Sequence, residues 1–136
     1  MTIVFTNGCF DILHIGHIKL LRYCQSLGDR LVVGLNSDSS VKRIKGKNRP
    51  INNQQIRKEM LELFGVDKVV IFNDDTPLLL IEKIKPAVLV KGIEWKNNIV
   101  GQEFVESYGG KVKFYTHKCN CSTTNIISKC QKNLCL

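Results

Sequence analysis

Short apolar, β-branched runs alternate with stretches of helical periodicity along nearly the whole chain, and that alternation leaves few folds open. Ile3–Phe5, Leu31–Leu35, Lys68–Phe72, Ala87–Val90 and Val112–Tyr115 read as strands. Their near-continuous apolar character suits strands buried on both faces of a parallel sheet. Between the first two, Leu20, Leu21, Cys24 and Leu27 share one helical face, and Gly28 reads as the helix stop. Asn52 is placed to cap a second helix with Ile56, Met60, Leu63 and Phe64 as its apolar stripe. Pro77 starts a third, which Lys85-Pro86 ends, and Ile99–Tyr108 forms a weaker fourth. A last helix begins near Thr123 or Thr124. The pattern predicts an α/β, Rossmann-like open parallel sheet of about five strands with helices on both faces. At 136 residues the chain suits one domain, 1–136, with one core. Ligands of such sheets bind beyond the carboxyl ends of the strands, where the strand order reverses.

The chain is 43% hydrophobic, which is ordinary for a globular protein and speaks against disorder. No apolar stretch approaches the roughly 20 residues that span a bilayer, and no basic start precedes an apolar segment as in a signal peptide. The expected location is therefore cytoplasmic. A net charge of +8 attracts anions, whether nucleic acid, membrane or small phosphorylated ligands. Lys42, Arg43, Lys45, Lys47 and Arg49 concentrate that charge. They read as a solvated loop or as a mobile lid over polyphosphate, and the position between a strand-like and a helix-like run favours the lid. The chain has six cysteines, and a cytosolic protein keeps thiols reduced. Cys119, Cys121, Cys130 and Cys135, with His117, lack a usual zinc spacing, so no metal ligands are assigned. Cys9 and Cys24 read as small core hydrophobes.

His14-Ile15-Gly16-His17 follows the first strand and opens the first helix. A helix start attracts phosphate, Gly16 allows close approach, and two imidazoles can donate to phosphate oxygens as charge develops. Ser122, Thr123 and Thr124 open the last helix, either as phosphate-binding groups or as simple caps. There is no G-x-G-x-x-G, so a dinucleotide site is not supported.

Thr6-Asn7-Gly8-Cys9-Phe10-Asp11-Ile12-Leu13-His14-Ile15-Gly16-His17 resembles the signature of the HxGH nucleotidyltransferases, the cytidylyltransferase-like superfamily. Cys121-Ser122-Thr123-Thr124-Asn125-Ile126-Ile127 resembles that family's second phosphate-binding motif. Asn36-Ser37-Asp38, Lys42-Arg43-Ile44-Lys45-Gly46, Arg49-Pro50, Asp75-Thr76-Pro77 and Val90-Lys91-Gly92 look like the adenylyltransferase domain of ADP-heptose synthases. The resemblance runs from about residue 2 to about residue 131. It implies transfer of AMP from ATP, with Mg2+, to a heptose 1-phosphate for lipopolysaccharide assembly. It also implies His14 and His17 as stabilisers of the transition state, with Lys45 as the lid lysine and Lys42 as its competitor. Thr6, Asn7, Gly8, Cys9, Phe10, Gly16, Lys91, Gly92, Glu94, Ser122, Thr123 and Thr124 are expected around the nucleotide. Asp11, Lys42 and Arg57 are expected toward the substrate, with Asp11 otherwise holding a loop, and Arg57, placed by analogy with a helix arginine of related cytidylyltransferases, otherwise a surface helix residue. Ile93-Glu94-Trp95 departs from the Gly-Asp-Tyr usual there in heptose enzymes. A cytidylyltransferase acting on glycerol 3-phosphate or a phospho-alcohol is the alternative. A nucleic-acid-binding module is a remote one, since no RNP-like motif, finger spacing or basic helix is present. Neither nucleic acid nor membrane is an expected partner, and a homodimer is compatible with this reading.

Overall fold

The computed structural model describes residues 1–92, 99–116 and 122–134. Its five strands are β1 (Ile3–Gly8), β2 (Arg30–Asn36), β3 (Lys68–Phe72), β4 (Val88–Gly92) and β5 (Lys111–Tyr115). The helices described are α1 (Ile15–Ser26), α2 (Asp38–Lys45), α3 (Gln54–Phe64), α4 (Leu78–Ile84), α5 (Gln102–Ser107) and α6 (Thr123–Leu134). All strand pairs are parallel, in the order β3-β2-β1-β4-β5. The expected α/β sheet with helices on both faces is thus present, and the order reverses at β1.

Alternate residues of each strand feed two separate cores, as the pleat requires. On one face Val4, Leu31, Val33, Leu35 and Val69 pack with Leu21 and Cys24 of α1 and Leu61 of α3. On the other, Phe5, Val32 and Leu89 pack with Ile81 of α4 and Val105 of α5. Cys24 is buried, as a core thiol should be, and burial pushes it up to about 12.

Three local readings are corrected. The basic run does not begin in a loop: Lys42, Arg43 and Lys45 form the last turn of α2, where cations favour the helix dipole. Ser37 caps that helix by accepting from the Ser40 N–H. The second apolar-striped helix, α3, starts one residue later than expected, with Asn53 accepting from the Ile56 N–H as its cap. Its phase also differs. Arg57 and Leu61 face inward, whereas Ile56, Met60 and Leu63 are exposed, Leu63 at 81%. Gly28 follows the end of α1, as expected of a helix stop, while the C-cap Leu27 stays in the right-handed region. A Cβ at Gly28 would meet the Thr2 carbonyl oxygen at 2.7 Å, so close approach of the chain explains this glycine. Ile93, Glu94, Trp95, His117, Cys119, Cys121 and Cys135 lie outside the described residues.

Candidate active site

The backbone ladder between β1 and β4 is short: Val4 pairs with Val88 and Phe5 with Leu89. Beyond that point side chains take over. The Thr6 hydroxyl donates to the Val90 carbonyl at 3.0 Å, and Lys91 Nζ donates to Asn7 Oδ1. The strands therefore part at the switch point while remaining cross-braced. A cavity of about 590 Å³ opens there. Thr6, Asn7, Gly8, Cys9, Phe10 and Asp11 form its floor, and His14, Gly16 and His17 one wall. Lys45, Lys91, Gly92, Ser122, Thr123 and Thr124 border it as well. Most of the residues expected at a phosphate site thus converge, although they come from the two ends of the chain. Glu94 falls outside the described residues.

The HxGH segment caps its own helix. His14 is the N-cap residue, and its Nδ1 accepts from the Gly16 N–H at 3.1 Å. His17 Nδ1 accepts from the His14 N–H at 3.4 Å, and the two rings stack with centroids 3.8 Å apart. This reciprocal arrangement is a capping box built from imidazoles. An Nδ1 that accepts must leave the ring proton on Nε2. Both histidines are therefore set as Nε2–H donors on the cavity wall. Phe10 supports them, its ring centroid 5.0 Å from that of His17. Its φ of 47° is a costly conformation for a non-glycine residue, of the kind that clusters at functional sites. A Cβ on Gly8 would meet the Phe10 ring at 3.0 Å, so Gly8 makes room for it.

Asp11 is the hinge of the site. Its side chain has no exposure and accepts from Arg49 Nε at 2.9 Å, from the Asn52 N–H and from the Ile51 N–H. Burial alone would raise its carboxyl, but the Asn52 and Ile51 amides and Arg49 outweigh it and hold the carboxyl below its ordinary value. The carboxylate is thus fully engaged with protein groups. Arg57, expected as a phosphate ligand, is 1% exposed and does not border the cavity. Its guanidinium donates to the carbonyls of Asn52, Cys9 and Asn36 and to Asp38. Those carbonyls belong to three segments that meet under the site, so Arg57 is a buried brace.

Of the two lid lysines, Lys45 borders the cavity and Lys42 does not. Arg43 pins this end of α2 to the loop before α4, through Asp75 at 2.9 Å and the Asn73 carbonyl. Arg49 borders the cavity too. Its position 38 residues from Asp11 hid the pairing from sequence reasoning. Leu20, Asn36, Ile44, Val100 and Tyr115 were also not expected there. At the start of α6 the Ser122 hydroxyl accepts from the Asn125 N–H, as a cap, and the Thr123 hydroxyl donates to the Ile12 carbonyl. Thr123 is therefore limited to its backbone N–H as a donor to ligand. Burial lowers the Lys91 ammonium to about 8 and raises the Cys9 thiol. Cys9 therefore stays protonated near neutrality, and lines the cavity rather than the core.

Together these groups can neutralise a polyphosphate. Two imidazole N–H donors sit on one wall, the α6 start on another, and Lys45, Arg49 and Lys91 add charge. Among the described residues no three His, Cys, Asp or Glu side chains form a metal cluster, and both Asp11 oxygens are committed. The described residues build no protein cage for magnesium, which usually takes only one or two carboxylates with substrate phosphates and waters. No helix among the described residues is long and apolar enough to cross a membrane.

A family model described as Cytidylyltransferase-like matches residues 5–129. The Bifunctional protein HldE of Geobacter metallireducens is 55% identical over 129 residues, which are 93% of this chain and 26% of that protein. The protein of the same name from Geobacter sulfurreducens is 52% identical over 132 residues, 96% of this chain and 27% of that one. The chain thus spans about a quarter of the length of the curated relatives it matches. Among solved structures, a lipopolysaccharide core biosynthesis protein from Thermoplasma volcanium superposes with a TM-score of 0.69 at 28% identity, over 89% of this chain and 99% of that one. The imidazole-capped helix at the switch point and the match across nearly the whole sequence lead to one conclusion: the chain belongs to the cytidylyltransferase-like family.

Proposed function

We propose that the chain is an adenylyltransferase that moves AMP from ATP to a sugar 1-phosphate, a heptose 1-phosphate, and releases pyrophosphate. One observation carries the reading: His14 and His17 are locked as Nε2–H donors in a cavity that the α6 start and three cationic side chains share. A phosphate oxygen of the acceptor attacks the α-phosphorus, a new P–O bond forms, and the bond to the β-phosphate breaks. The attacker is already anionic, so alignment and charge stabilisation matter more than a strong base. The histidines donate to the α-phosphate, and Lys45 and the α6 amides hold the leaving pyrophosphate. Magnesium would be carried by the triphosphate rather than by side chains of the described residues, and would supply positive charge against the phosphates.

The choice of ATP and heptose rests on Asp75, Thr76, Pro77, Lys91 and Gly92. These residues resemble the heptose enzymes, and all border the cavity. The name of the Thermoplasma relative supports a place in lipopolysaccharide core synthesis. The reading assigns the work to the cytoplasm, with ATP and the sugar phosphate as partners and neither nucleic acid nor membrane.

Pyrophosphate release should be measured with ATP or CTP against D-glycero-β-D-manno-heptose 1-phosphate and glycerol 3-phosphate. ATP with the heptose phosphate should be the productive pair. A preference for CTP with glycerol 3-phosphate would overturn the substrates while leaving the histidine chemistry standing. No release from any pair would count against the enzyme reading itself.

A further inference from the structure

We propose that Arg49 is the phosphate-anchoring arginine of this site, presented as a fork toward the terminal phosphates of a nucleoside triphosphate. The inference rests on the triphosphate reading above and deepens it.

The guanidinium is gripped from one side. Its Nε donates to the Asp11 carboxylate, which is itself wholly buried, and Arg49 is 13% exposed. A guanidinium has five N–H donors in a rigid plane. Fixing Nε leaves the four on the terminal nitrogens to face elsewhere. They face the cavity, where Nη1 lies 3.5 Å from Thr124 Oγ1, at the outer limit of a hydrogen bond. Nη2 has no protein partner among the described residues. Thr124 belongs to the first turn of α6, whose leading amides lack helical partners and attract anions. Fork and amides thus converge on one point.

The simpler role, tying the loop before α3 to Asp11, does not need the guanidinium. The Ile51 and Asn52 N–H groups already donate to the Asp11 carboxylate, and Asn52 Nδ2 donates to the Asp11 carbonyl. Arg57 cannot take the part, because it is buried away from the cavity and four of its five N–H donors go to backbone carbonyls and Asp38. Lys45 and Lys91 supply point charges, whereas a planar fork matches two phosphate oxygens at once.

The test uses inorganic tripolyphosphate and AMP, each titrated calorimetrically into the wild type, Arg49→Lys and Arg49→Gln. Tripolyphosphate carries neither base nor acceptor, so its outcome is independent of which nucleotide and sugar the enzyme uses. Losing a charge-assisted fork should weaken tripolyphosphate binding at least ~10-fold in Arg49→Gln, with a smaller loss in Arg49→Lys, which keeps the charge beside Asp11. AMP affinity should stay within about twofold, since the α-phosphate is held by the histidine wall. Amide exchange at Ile51 and Asn52 should be unchanged. Equal tripolyphosphate binding by all three proteins would overturn the proposal. So would parallel loss of AMP and tripolyphosphate with faster exchange at those amides, the mark of a structural tie. Failure of the wild type to bind tripolyphosphate would overturn it as well.

Discussion

Replacing His17 with alanine should lower turnover by at least ~10²-fold, the effect of removing one preorganised donor from a developing oxyanion. The fold should survive. His17 accepts from the His14 N–H at 3.4 Å and stacks on the His14 ring, so its loss removes half of a capping box, worth about 1 kcal/mol. Circular dichroism and a thermal melt would verify folding, and pyrophosphate release would read turnover. Substrate binding should change far less than turnover, because the donor acts on charge that appears only in the transition state. A folded His17→Ala protein with near-normal turnover would remove His17 from the chemistry.

The second large effect is on stability. Arg57→Met keeps an apolar stem of similar length but leaves the carbonyls of Cys9, Asn36 and Asn52 without their donor, and Asp38 without its cation. Leaving a buried carbonyl without its donor typically costs about 1–3 kcal/mol, and three carbonyls lose theirs here. Urea unfolding should show a midpoint shifted down accordingly. Asp38→Asn should cost less, because Asp38 is 35% exposed and water can replace it. If Arg57 were a phosphate ligand, its variant would instead be nearly as stable as the wild type and deficient in triphosphate binding.

The strands were legible because a parallel sheet buried on both faces demands nearly unbroken apolar runs, and each of the five runs lies within or overlaps an observed strand. The histidine motif was legible because its chemistry is local: four consecutive residues both cap the helix and supply the donors. Helix α2 was hidden by its composition. Asp38–Lys45 buries only Ser40 and Val41, and an octapeptide with four charged residues and two serines reads as loop. The phase of α3 was misread for a related reason. Ile56, Met60 and Leu63 outcompete an arginine in any hydrophobic count, yet the inward position goes to Arg57, because carbonyls from three segments, turned inward beneath the site, need a donor there. Arg49 and Asp11 are far apart in sequence, and pairing them required the loop geometry that only the fold supplies.

The central claim is that this cavity directs attack at the α-phosphorus of a nucleoside triphosphate. The most direct measurement follows phosphorus label from ATP in the presence of heptose 1-phosphate. Label in the α-phosphate should move into a sugar-linked nucleotide, and label in the γ-phosphate should appear in pyrophosphate. Label from the γ-phosphate in the sugar or in free orthophosphate, with the α-phosphate left in ADP, would contradict the account.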